Sequence, residues 1–122
     1  MAQTRDSLDF DAVREIALAL PGIEESTTPS GTSLRAAGRM LACPAVHDSA
    51  EPNSLMVRVS VDERERLLTT EARTYYLTEH YAGYPAILVR LSRISHGALR
   101  DLLASAARQL AEKKRARGTK RK

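Results

Sequence analysis

Apolar and polar residues alternate in several short stretches of the chain, as they do in half-buried β-strands. The clearest pattern covers residues 54–60, in which Leu55, Val57 and Val59 occupy every second position. In residues 86–92, Ile87, Val89 and Leu91 occupy one side of a predicted strand, opposite Leu88 and Arg90. The sequence therefore predicts two strong strands, and weaker patterns predict three more at residues 32–36, 39–46 and 73–78.

Three other segments carry apolar residues at the spacing of an amphipathic helix. The first begins at a cap formed by Asp9 or Asp11 and ends at Leu20, just before Pro21-Gly22. The second covers residues 62–70. The third begins after a cap at Ser95, and its apolar face comprises Leu99, Leu102, Leu103, Ala106 and Leu110.

The predicted elements follow each other as helix, three strands, helix, two strands and helix. Residues 24–31 are rich in turn formers and are predicted to be a loop, while residues 80–85 read as an aromatic turn. The chain lacks the βαβ alternation with phosphate-binding glycines that is typical of a doubly wound sheet. The order predicts an α+β fold in two layers, with helices on one face of an antiparallel sheet.

Positive charge is concentrated at the C-terminal end of the chain. Residues 111–122 contain seven basic residues and one acid, whereas the other 110 residues hold 12 of the 19 basic and 14 of the 15 acidic residues. The net charges of the two parts are therefore +6 and −2. We accordingly divide the chain into a domain, residues 1–111, and a basic tail that we expect to be flexible, residues 112–122.

Composition also excludes several classes of protein. No apolar run approaches the roughly 18 residues that a membrane span needs, and the acidic N-terminal stretch does not resemble a signal peptide. We therefore expect a cytoplasmic protein with no membrane partner. Cys43 is the only cysteine, which excludes an internal disulfide and a thiolate metal cluster, and its apolar surroundings favour a buried, unreactive thiol.

Six short stretches together resemble one known family in their order and spacing. They are residues 20–26 (LPGIEES), Gly31, Gly38-Arg39, residues 55–59 (LMVRV), residues 80–85 (HYAGYP) and residues 87–91 (ILVRL). On these stretches the chain resembles the MmcQ/YjbR family of small bacterial proteins over about residues 9–111. Leu34 and Ala86 stand where that family commonly has aromatic residues.

The resemblance implies an α-β(3)-α-β(2)-α fold, similar to secretion-chaperone folds and to the frataxin-like architecture. It also implies a DNA-binding function, which is linked to a "double wing" formed by hairpins of the sheet. This is an analogy at the level of the fold and carries no information about base specificity.

Candidate residues for binding nucleic acid are the basic residues of the tail and three strand arginines. Guanidinium and ammonium groups neutralise phosphates independently of base sequence. The alternatives are that the strand arginines pair with acids such as Glu63 or Glu65, and that the tail only aids solubility. The candidates are Lys113, Lys114, Arg115, Arg117, Lys120, Arg121, Lys122, Arg39, Arg58 and Arg90.

One local cluster of chemically capable side chains, His80, Tyr81 and Tyr84, is a candidate pocket. The alternative is a turn whose rings pack on the sheet edge and whose hydroxyls reach the backbone. His47 and His96 lie elsewhere, without the spacing of a zinc motif. We therefore predict no catalytic residue, no metal and no cofactor.

These patterns favour a binding protein rather than an enzyme. The leading hypothesis is a DNA-binding protein of weak or unknown specificity that uses the basic tail and the sheet arginines. The first alternative is a chaperone-like module that binds a peptide or protein on the sheet. A weaker alternative is a small-ligand or enzymatic pocket near His80 and Tyr84. The sequence leaves the oligomeric state open.

Overall fold

The computed structural model describes residues 8–29 and 31–120. Over these residues the chain folds into one antiparallel sheet with helices, which confirms the predicted α+β class. The elements are α1 (Phe10–Leu18), β1 (Ile23–Thr28), β2 (Gly31–Ala36), β3 (Arg39–Pro44), β4 (Ser54–Arg58), α2 (Val61–Thr70), β5 (Tyr75–Tyr76), α3 (Glu79–Ala82), β6 (Ala86–Arg90) and α4 (His96–Lys120).

The strands lie in the order β1-β2-β3-β4-β6-β5, so the two strands with the strongest alternation are neighbours inside the sheet. In their register Leu55 lies opposite Val89 and Met56 opposite Leu88. The first four residues of each strand are buried, because both faces of this part of the sheet are covered. The two strong strand predictions are confirmed.

The main core lies between one face of the sheet and the helices α1, α2 and α4. The predicted caps hold the helix starts: Asp9 Oδ1 accepts from the Ala12 N–H at 2.9 Å, and Ser95 Oγ accepts from the Ala98 N–H at 3.1 Å. All five apolar positions predicted for the last helix are buried. No helix in the described ranges is long and apolar enough to span a bilayer.

A smaller core covers the opposite face of the sheet. Tyr81 of the short helix α3 packs there on Met56 and Leu88, and Cys43 lies half-buried beside them. Burial raises the pKa of the Cys43 thiol, as expected for an apolar site. The segment predicted as an aromatic turn therefore contains one turn of helix that closes this second core.

The predicted loop at residues 24–31 is wrong, because most of it forms the edge strand β1. Its sequence, IEESTT, has no apolar alternation, since an edge strand with one solvated face needs little apolar surface. Pairing with β2 and a two-pronged bond from Arg14 to Glu25, at 3.0 Å for each prong, hold it in place. Four strands, not three, therefore precede α2.

The last helix is longer than the sequence pattern predicts. The apolar face ends near Glu112, but α4 continues to Lys120. Alanine, glutamate, lysine and arginine all favour helix, which explains continuation beyond the buried face. Arg121 and Lys122 lie outside the described residues, and flexibility of the tail stays a prediction.

We predict that Tyr75→Phe protects the fold at high pH. Burial, followed by repulsion from Glu71 and Glu63, raises the pKa of Tyr75 to about 12. An unfolded chain ionises tyrosine near pH 10, so this group's contribution to stability is complete below pH 10 and is lost as the pH rises towards 12. Urea unfolding at pH 9 and 11 should show wild type losing roughly 1 kcal/mol more than the variant. If wild type and variant lost the same free energy of unfolding between pH 9 and pH 11, the raised pKa of Tyr75 would be contradicted.

Candidate functional site

Arg90 acts as a cross-link inside the protein. Its guanidinium donates to both carboxylate oxygens of Glu51 at 2.9 Å, and Nη1 donates to the carbonyls of Ala72 at 3.1 Å and Arg73 at 3.0 Å. It also lies 4.4 Å from the centre of the Tyr76 ring. The alternative of an acid partner therefore holds for Arg90, with Glu51 as the partner, and its donors are already used.

Arg58 shares a sheet face with Arg90 but lies at the other end of the strand pair. Ser54 is opposite Arg90, whereas Arg58 is opposite Ala86. Four residues of strand separate the two positions by roughly 13 Å. Within the described ranges the Arg58 side chain has no hydrogen-bond or ion-pair partner. The sequence pattern gives the same prediction for both arginines, but in the structure Arg90 has an acid partner and Arg58 has none within the described ranges.

A cavity of about 230 Å³ opens beside Arg58. The strand end and the start of α2 form one wall, and the last buried turn of α4 forms the other. Four apolar and three polar residues line it. The lining residues are Arg58, Val59, Ser60, Pro85, Ala106, Gln109 and Leu110.

Arg39 lies at the same end of the sheet as Arg58. It pairs with Ala36 across the Ala37-Gly38 turn, in which both φ angles are positive, as in a type I′ hairpin. A second cavity joins Ala36 and Ala37 to Arg108 on α4. Neither Arg39 nor Arg108 has a side-chain partner in the part of the chain that the structure describes.

The predicted tail continues from this same end of the sheet. Residues 108–120 of α4 contain six basic residues and one acid, Glu112. α4 continues beyond the buried residue Leu110 to Lys120. We call the set formed by Arg39, Arg58, Arg108 and residues 113–120 the basic end.

The histidine and tyrosine cluster includes a partner that the sequence did not identify. The rings of His47 and His80 stack 3.5 Å apart and within 6° of parallel. The Ser49 N–H donates to His47 Nδ1 at 3.0 Å, and the His47 N–H donates to the Tyr81 hydroxyl at 3.2 Å. Tyr84 is 54% exposed. The contacts fasten residues 47–49 to α3.

This cluster does not have the geometry of a metal site. Imidazole lone pairs lie in the ring plane, so two stacked parallel rings do not direct them at one ion. Within residues 8–29 and 31–120, no group of three or more histidine, cysteine, aspartate or glutamate side chains could hold a metal. Tyr76 has a similar fastening role: its hydroxyl accepts from the Glu51 N–H at 2.7 Å.

Arg64 is a buried residue that the sequence pattern did not reveal. It is only 9% exposed, and its Nη1 donates to the carbonyl of Tyr84 at 2.8 Å and to that of Ala86 at 3.4 Å. Its Nε is buried without a partner. Because these carbonyls flank Pro85, Arg64 fixes one edge of the cavity beside Arg58.

Comparisons with known proteins identify the fold. No family model matches the chain, and no curated protein matches its sequence. The crystal structure of the Deinococcus radiodurans protein DR2400, a DUF419 domain, is similar with a TM-score of 0.69 at 17% identity. The likeness covers 88% of this chain and 82% of that one. The fold resembles that of a DUF419 domain. DUF419 is an MmcQ/YjbR-type family, and at this identity the likeness concerns the fold alone.

We predict that Glu51→Gln destabilises the protein near pH 7 but not in acid. The hydrogen bond from Arg90 lowers the pKa of Glu51, so its stabilising contribution is present above the unfolded value of about 4.3 and is lost as the pH falls through the folded value. Both side chains are partly exposed, which limits the effect to about 1 kcal/mol or less.

Urea unfolding of wild type and variant at pH 7 and pH 2.5 measures this difference. Asp48→Asn, in the same loop and without a side-chain partner within the described ranges, is the matched control and should leave stability unchanged at both values. A penalty for Glu51→Gln that is equally large at pH 2.5 would contradict the assignment to an ion pair.

Proposed function

We propose that this chain binds nucleic acid through backbone phosphates at the basic end, as a binding protein rather than an enzyme. The observation that carries the proposal is that Arg58 and Ala36, the strand partner of Arg39, line cavities that also include residues of α4 just before the basic tail. Arg39 is on the sheet face of Ala36, in the main core, and Arg58 is on the face of Met56, in the second core, so the two extend from one end of the sheet on opposite faces. Arginine forks without partners suit phosphate oxygens. The resemblance to the MmcQ/YjbR family agrees with this role.

The distribution of charge supports binding at one surface rather than general attraction. The first 110 residues are slightly acidic, with 12 basic and 14 acidic side chains. Residues 108–120 alone carry a net charge of +5. A helix of this composition offers phosphate contacts that release counterions, so affinity should fall steeply with salt. We expect little discrimination between base sequences, because phosphate contacts carry no sequence information.

The proposed interface is narrower than the set of candidates from the sequence. Arg90 is left out, because Glu51 and two carbonyls occupy its donors. Arg39 and Arg58 are retained, together with Lys113, Lys114, Arg115, Arg117 and Lys120. The hairpin tip at Ala37-Gly38 lies next to Arg39 and gives the basic end a projecting loop comparable to the proposed wing.

The two alternatives have less support. A peptide laid on the open sheet face would meet mainly polar residues of β1 and β2, since α3 and the segment before β4 cover the apolar part. His80 and Tyr84 lie on the surface in a cluster whose hydrogen bonds fasten a loop.

We predict that the double variant Lys113→Gln, Lys114→Gln binds duplex DNA more weakly than wild type. We also predict that its affinity depends less steeply on salt concentration. Each lost phosphate contact removes close to one from the slope of log affinity against log salt concentration, so the slope should fall by up to about two. Fluorescence anisotropy of a labelled duplex, titrated with the full chain at several salt concentrations, measures both quantities.

The matched control is Arg73→Gln with Arg93→Gln, which removes the same charge from exposed positions outside the basic end. This control should retain the wild-type slope. If both double variants lost the same affinity and the same salt slope, the effect would depend on net charge alone, and the proposed site would be contradicted. Failure of the wild-type chain to bind near physiological salt would contradict the function itself.

A further inference from the structure

The edge strand β1 presents unpaired backbone groups along one side. Ala36 closes the β2–β3 hairpin with Arg39, so its N–H and C=O point to β3. Successive residues of a strand point their backbone groups to opposite sides. In β1 the partner of Ala36 is Ile23, so Ile23, Glu25 and Thr27 direct their N–H and C=O groups away from the sheet. In the described part of the chain no group bonds to them.

Three of the features that usually block strand addition, a bulge, a proline and a lysine, are absent from β1. The pairing of β1 with β2 is regular over six residue pairs, without a bulge. The strand contains no proline and no lysine. The opposite edge, β5, is only two residues long. β1 is therefore a six-residue template for another strand.

The surroundings of this edge are acidic. α1 packs on β1, and the two elements together hold four acids, Asp11, Glu15, Glu24 and Glu25, and one arginine, Arg14. Arg14 is already bound to Glu25. Asp11, Glu15 and Glu24 are exposed, and α1 and β1 together carry a net charge of −3, while Arg35 of β2 lies opposite Glu24.

We propose that β1 binds an extended, basic peptide segment of a partner protein as an additional strand. Backbone hydrogen bonds to Ile23, Glu25 and Thr27 would supply affinity, as in other cases of strand addition. Lysine or arginine side chains of the peptide would meet Glu24 on the open face of the sheet or Glu15 on the helical side. β1 begins next to the basic end, since Ile23 pairs with Ala36 and Ala36 with Arg39, and it runs away from it. The proposal does not depend on nucleic-acid binding.

Charge favours a basic peptide over a second copy of this chain. Pairing β1 with its own copy across a two-fold axis would bring two edges of charge −3 together. A partner strand that carries lysine or arginine removes this repulsion and replaces it with attraction. The occupant is therefore a partner of opposite charge.

The test uses a fluorescent nonapeptide in which lysine and valine alternate, titrated with the full chain and followed by anisotropy. Two further versions carry N-methyl groups, on the odd or on the even residues. An added strand directs only alternate N–H groups to β1, so one methylated version should bind at least about tenfold more weakly and the other like the unmodified peptide. A glutamate-valine peptide should not bind.

A variant of the chain provides the second arm. Thr27→Pro removes an outward N–H and leaves the bonds to β2, because proline is tolerated on the free side of an edge strand. It should weaken peptide binding about tenfold, while Thr27→Val should not. The methylated peptides test the proposal even if the proline variant does not fold.

Three outcomes would overturn the proposal. The first is that the lysine-valine peptide does not bind, and the second is that both methylated versions bind equally well. The third is self-association of the chain in sedimentation experiments that Thr27→Pro abolishes, which would assign the edge to a second copy. A loss of DNA binding in the tail variants leaves all of these outcomes unchanged, so the two proposals fail separately.

Discussion

The pairing of β4 with β6 is the interaction on which the other layers of the structure depend. Four consecutive residues of each strand are buried, so this strand pair is apolar on both faces. A strand pair of this kind needs cover on both sides, because exposed apolar surface costs about 25 cal/mol for each Å². α1, α2 and α4 cover one face. In the described part of the chain, the short helix α3 and the segment that leads into β4 cover the other face.

The contacts around the second core follow from this requirement. A four-residue helix and a loop have too little apolar surface to hold themselves in place, so polar contacts assist them. The Arg90–Glu51 pair, the Tyr76 and Tyr81 hydroxyls and the His47–His80 stack all connect these segments to the sheet or to each other. Most of the side chains that the sequence offers as candidates for binding or catalysis in this region therefore attach α3 and the segment before β4 to the sheet. Among the side chains that the structure describes, Arg39, Arg58 and Arg108 have no partner, and the outward backbone groups of β1 have none within the described ranges.

The parts of the fold that depend on burial could be predicted, and those that depend on distant pairing could not. β4, β6 and α4 have strong periodicity, because their apolar positions face a core. β1 has no such pattern, since its stability comes from the neighbouring strand and from Arg14. The roles of Arg58 and Arg90 could not be separated in the sequence, because the partner that distinguishes them, Glu51, is 39 residues from Arg90. The continuation of α4 to Lys120 reflects helix propensity rather than burial.

The proposed nucleic-acid interface is one end of the sheet together with the end of α4. Backbone amide chemical shifts of the full chain, recorded during titration with a short DNA duplex near physiological salt, test it most directly. We expect the amide signals of Arg39, Arg58, Arg108 and residues 112–120 to shift, while the signals of β1, Arg90 and Glu51 stay unchanged. Changes confined to His47, His80 and Tyr84, or an unchanged spectrum, would contradict it.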